Sequence, residues 1–309
     1  MSIVFDWLNP NQSELTKIEV YRAEKRGGDK TLLATVAPTA LAYEDTAADV
    51  NRVYWYSTIA YIGDDKTASV ENPLASFEKT GPGGQKLLRG DWGLGYFGEV
   101  ALGELPSFSD IGTKTGFGTA SASTVANKKL HKFIANGKII FIPGCPLTTS
   151  VFTVNQLRAQ KVLPQIDQPD KELLRMTKGD FSYFIRPPFM DDRGSKAADG
   201  SLAFTSNRLT SYPDSFFTSE FAALLSIFWN SNQYYPAQSY FPFLPQMSDN
   251  ELLDISYFNN YAHTATAVIN GADTTNFLCI FRAYDLSVAT ISNGGARAFW
   301  PIYVLDIEG

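Results

Sequence analysis

Histidine and cysteine are scarce in this chain, two of each among 309 residues. His131 and His263 are therefore the only imidazoles that a Ser/His/Asp triad or a zinc site could use. His131 sits in the basic run Lys128-Lys129-Leu130-His131-Lys132, which reads as a solvated strand face. His263 has neither an HxxxH nor a GxSxG context. Cys145 and Cys279 lie far apart without CxxC spacing, so buried free thiols are expected rather than a disulfide or metal ligands. Positive charge is also in deficit. With 26 basic against 32 acidic residues the net charge is -6, which argues against a general nucleic-acid binder. The longest apolar run, Phe221 to Trp229, is too short for a bilayer span, so no membrane insertion is expected. The opening MSIVFDWLNP lacks the basic region of a signal peptide, and a soluble protein made in a cytoplasm is the expectation. Gly93, Gly95 and Gly98 form neither a GxGxxG nor a Walker loop. Asp191, Asp192 and Asp199 lack EF-hand spacing, so a solvated loop is preferred to a calcium site. No catalytic residue, cofactor site or metal site is predicted, and the chain is not expected to be an enzyme.

Aromatic side chains are plentiful. They make up 14% of the residues, within 44% hydrophobic and 19% charged, a composition of folded, β-rich protein. Gly81, Pro82, Gly83 and Gly84 interrupt the pattern and divide the chain into a first domain (1–76), a linker (77–86) and a second domain (87–309). In the first domain Ile3, Phe5 and Trp7 alternate on one face, as do Ile18 and Val20. Leu32 to Val36 reads as a strand, Ala42 to Thr46 as a turn, and Val53 to Ile62 as the longest strand. A last strand is placed near Ala68 to Val70. Short strands at this spacing predict an antiparallel β-sandwich.

The second domain reads as α+β. Leu87–Val100 would be its first strand, and Gly112 to Ala126 an exposed loop. Asn136-Gly137 between two apolar runs predicts a hairpin, and Phe181 to Arg186 a strand stopped by Pro187. Helices are predicted weakly over Val151 to Val162, and also over Thr218 to Trp229 and Asp249 to Tyr257, before strands at Phe277 to Arg282 and Phe299 to Ile307. Arg89-Gly90-Asp91, the integrin tripeptide, is read as structural because Leu87, Leu88 and Trp92 flank it. Tyr234, Tyr235, Tyr240, Phe241 and Phe243 cluster on a Pro-containing stretch. They either cover the domain's own core, form a subunit interface or stack on a glycan.

The order Trp7, IEVYRAE (18–24), LLATV (32–36), AYEDT (42–46) and VYWYSTIAYI (53–62) resembles a fibronectin type III (Ig-like) domain. The resemblance implies that Trp7 packs in the core and that Tyr54 is the corner tyrosine that bonds back to the preceding loop. The chain opens almost directly on the Trp7 strand, so a neighbouring chain is expected to complete that edge. The second half, with LHKFIANGKIIFIPGCPL (130–147), SYFIRP (182–187), SEFAALL (219–225) and FWPIYVLDI (299–307), resembles a module of tailed-bacteriophage virion proteins and C-type-lectin-like folds. Its closing motif at Trp300 lacks the arginine of that pattern. What the resemblance implies is a virion structural protein of a tail fibre, collar, baseplate or capsid appendage. It would be a homo-oligomer that contacts other virion proteins and a host-surface glycan, with Trp7, Tyr54, Trp92 and Trp300 in structural roles. A carbohydrate-binding receptor module is the alternative, and a glycan depolymerase with paired carboxylates a distant third.

Overall fold

A computed structural model describes residues 2–9, 13–116, 130–135, 137–143, 159–162, 173–186, 224 and 302–307, with backbone alone at 264–266, 278–281 and 288–291. The protein is mostly β, built from antiparallel sheets, with one short α-helix of defined ends among the described residues.

The first domain has two sheets. Strands β1 (Ile3–Asp6) and β4 (Ala42–Asp45) pair with each other. The second sheet runs β3 (Thr31–Val36), β2 (Lys17–Ala23), β5 (Arg52–Ile62), β6 (Asp65–Ala68), with β7 (Asn72–Ser76) also on β5. Strand alternation turns Ile3 and Phe5 inward onto Val20, Tyr54 and Tyr56, with Trp7, Leu33 and Leu74 packed around them. Each such side chain removed from water contributes about 1.5–3 kcal/mol. A polar link crosses this core. Asp45 accepts hydrogen bonds from Arg22 (2.7 Å) and Tyr56 (2.8 Å), which join the two sheets at one end. That link explains why 42–45 is a strand and not the expected turn: buried Asp45 holds it against the opposite sheet while β1 supplies its ladder. Of the expected strand at 68–70 only Ala68 is in a strand, as the last residue of β6. The Ser69 hydroxyl accepts from the Thr58 amide, ending the β5–β6 ladder, and Val70 is left 78% exposed.

The second domain's main sheet has the order β12 (Leu174–Lys178), β13 (Phe181–Arg186), β17 (Ile302–Leu305), β11 (Lys138–Pro143), β10 (Leu130–Ala135), β9 (Leu94–Val100), β8 (Arg89–Gly90). The last strand in the chain thus closes the middle of the sheet. A separate sheet joins β14 (Thr264–Thr266), β15 (Leu278–Phe281) and β16 (Val288–Ile291). The expected hairpin is present, with Ala135 opposite Lys138 and Gly137 at φ 78°, the left-handed conformation its turn requires. Helix α1 (Phe108–Thr115) begins with a capping box between Ser107 and Asp110 and places Phe108 and Ile111 on the sheet.

Three expectations are corrected by this architecture. Leu87–Val100 is a hairpin rather than one strand, because Gly90 (φ 73°) turns the chain and the Asp91 amide reaches the Leu94 carbonyl. Gly112 to Thr115 belong to α1 and are not exposed loop; 117–126 lie outside the described residues. The run at 130–132 is not a solvated face, since every residue of β10 is buried, His131 and Lys132 included. A central strand covered on both faces loses the polar alternation of a half-exposed one. Of the other predicted helices, only 159–162 and Leu224, helical and buried, are described.

Candidate functional site

The N-terminal sheets and the seven-stranded sheet have separate cores, and a lysine of the latter holds the glycine stretch between them. Lys132 alternates with Leu130 and Ile134 on the face of β10 that carries the main core. It is 0% exposed. Its ammonium donates to Thr80 Oγ1 (2.7 Å), the Gly84 carbonyl (2.7 Å) and the Gly81 carbonyl (3.4 Å), and lies over the Phe97 ring at 4.8 Å. Burial pushes its pKa down to about 7, against the opposing pull of Glu104. Gln85 closes the same loop, accepting from Thr80 and donating to the Gly81 and Gly83 carbonyls. The glycines serve close approach: a Cβ on Gly83 would sit 2.7 Å from the Val100 side chain, and one on Gly84 2.9 Å from the Phe97 carbonyl. The glycine stretch is therefore anchored to the second domain's sheet. Phe77 stacks on Trp92 at 5.5 Å, and Val53 packs on the second domain's core.

Beside the joint, the domains enclose a cleft of about 1010 Å³. The first domain contributes the β2–β3 turn (Glu24, Lys25, Arg26), Asn51 just before β5, and Arg52 and Trp55 of β5. Asn51 holds a left-handed φ of 62° and accepts from the Glu78 amide, tying this wall to the linker. The second domain contributes Gly93, Gly137, Lys138, Arg175, Phe184, Val304 and Asp306. Arg175, Phe184 and Val304 stand opposite one another across β12, β13 and β17, so they share one face of the sheet. Five cations and two carboxylates thus line a cleft in a chain of net charge -6. Arg175 is ion-paired to Asp306, and Arg52 lies near Glu24 (3.8 Å) and Asp49 (3.3 Å). Arg26 sits over the Trp55 ring at 5.7 Å and Arg175 over Phe184 at 5.3 Å.

Of the residues singled out from the sequence, Trp7 is half-buried against the first core, and the Tyr54 hydroxyl donates to the Asp49 carboxylate (2.7 Å) in the preceding loop. Trp92 lies between Phe77 and Phe97. Arg89, Gly90 and Asp91 are exposed, but the Asp91 carboxylate accepts from the Gly93 and Leu94 amides and so shapes the hairpin turn. His131 Nδ1 lies 3.0 Å from the Tyr96 hydroxyl. Cys145, Asp191, Asp192, Asp199, Tyr234, Tyr235, Tyr240, Phe241, Phe243, His263 and Trp300 lie outside the described residues. Sequence reasoning missed Lys132 and the cleft. The signal for Lys132 was a lone charge in register with Leu130 and Ile134. The cleft residues come from seven separated segments with no shared motif. Among the described residues no His/Cys/Asp/Glu group could hold a metal, and no helix is long and apolar enough to cross a membrane.

No protein-family model matches the chain, and neither a curated protein nor a solved structure matches it.

Proposed function

We propose that this protein is a structural component of a tailed-phage particle, in a fibre, collar, baseplate or capsid appendage. It acts through assembly with other virion proteins and copies of itself, without catalysis, and takes part in host attachment. The reading rests on the sequence resemblance, and the observation that carries it is the joint. A fibronectin type III-like first domain, with Trp7 packed on its core and Tyr54 bonded back to the preceding loop, leads into a linker that buried Lys132 of the aromatic-rich β domain holds in place. A fixed spacer of this kind suits load-bearing better than turnover. Mass spectrometry of purified particles, with antibody labelling in the electron microscope, tests it. The chain should be present at a fixed copy number, whereas absence from particles together with a monomeric state in solution would overturn the proposal. The second reading, a carbohydrate-binding receptor module, is favoured by the cleft, whose aromatic rings and cations belong to a recognition surface.

A further inference from the structure

The geometry points to the interdomain cleft as a binding site for an acidic oligosaccharide, one whose sugar rings carry carboxylates. The inference names the ligand class for the attachment role in the proposed function and rests on that role only for its biological setting. Three properties of the lining select this chemistry. First, the charge: Lys25, Arg26, Arg52, Lys138 and Arg175 face Glu24 and Asp306, so an anion entering the cleft meets a local excess of cations despite the chain's acidic total. Arginine's planar fork suits a carboxylate in particular. Second, the half-buried rings of Trp55 and Phe184, one from each side of the cleft, lie beneath Arg26 and Arg175, so apolar surface adjoins a guanidinium at each. Third, the acceptors: the Glu24 carboxylate and the Asn51 amide stand among the cations. Sugar hydroxyls donate hydrogen bonds and need such acceptors. A phosphodiester backbone has none to donate. The volume, at the upper end of the roughly 300–1,000 Å³ usual for small-molecule sites, accommodates an oligosaccharide.

Because both domains supply a wall, the anchored joint keeps the site assembled. Isothermal titration calorimetry on the full chain tests this, using trigalacturonic acid and sialyllactose as acidic probes, maltotriose as the neutral control and a mixed-sequence single-stranded DNA as the phosphate control. At least one acidic probe should bind, with affinity falling as salt is raised. Arg26→Gln and Arg175→Gln should each weaken it by about tenfold, the loss expected for one charge-assisted hydrogen bond. Lys66→Gln, on exposed β6, should leave it unchanged. Melting temperatures of all variants establish that they are folded. Silence toward both acidic probes, equal binding of maltotriose, tighter binding of DNA, or binding indifferent to both arginine variants would each overturn the inference. Virion incorporation of the Arg26→Gln protein reads the assembly role separately, since that exposed turn residue takes no part in the joint.

Discussion

Lys132 and Glu19 both titrate below their ordinary values, and both make stability rise with pH, in separate windows and for opposite reasons. Burial lowers the Lys132 pKa to about 7, while the unfolded chain protonates it up to its ordinary value near 10.5. Between those values the unfolded state holds more protons, so stability rises with pH. Below about 7 the folded protein bears the full cost of a buried ammonium, softened by the three oxygens that accept from it. Wild type should gain stability relative to Lys132→Met as pH is raised from 7 to 10, measured by urea unfolding; parallel curves would contradict it. At Glu19 the folded state favours the charge instead of penalising it. Hydrogen bonds from Lys17, Tyr61 and Tyr21 hold its carboxyl down at about 2. Its contribution is complete above about 4.5 and is lost as pH falls toward 2. Glu19→Gln should therefore show a flatter acid-unfolding profile between pH 4.5 and 2 than wild type, followed by circular dichroism.

At the level of elements, polar contacts decide what the apolar pattern leaves open. β4 exists as a strand because Asp45 ties it to Arg22 and Tyr56 on the facing sheet. Asp45→Asn should cost about 3 kcal/mol, the lower end for breaking a buried ion pair, since Arg22 keeps some access to water. Thermal denaturation measures this. In the β8–β9 hairpin a Cβ on Gly90 would lie 2.2 Å from the Leu94 carbonyl, at φ 73°. Gly90→Ala should destabilise by about 2 kcal/mol or more through steric strain, whereas Arg89→Ala at an exposed position should cost less than about 0.5 kcal/mol. Equal costs for the two would mean that the tripeptide is not there for the turn. Much of this level is legible in the sequence. Alternation places Ile3, Phe5, Ile18 and Val20 inward, and Asn136-Gly137 locates the second domain's hairpin. β10 is not legible in this way, because Lys128 to Lys132 carries the polarity of an exposed strand while its neighbours bury it from both sides.

For the whole molecule, the question is whether two domains behave as one body. Val53 on the second core bridges them directly, and Lys132 on the linker carbonyls and Trp92 on Phe77 hold the linker between them. ¹⁵N relaxation should give both domains one rotational correlation time in wild type, and the double variant Lys132→Ala, Trp92→Ala should separate them. Two correlation times in the unaltered protein would overturn the anchored joint and remove the cleft with it.

The sequence by itself determined the β-rich character and the inward faces at Ile3, Phe5, Ile18 and Val20, because period-two burial is a local property of the chain. Only the tertiary structure decided that the joint is held and what lies beside it. Gly81 to Gly84 look pliable when read alone; the Gly81 and Gly84 carbonyls meet Lys132 only because β10 lies inside a sheet that β17, near the end of the chain, helps to close. The cleft likewise depends on residues as distant as Arg26 and Asp306. Long-range pairing of this kind leaves no periodic trace in either segment.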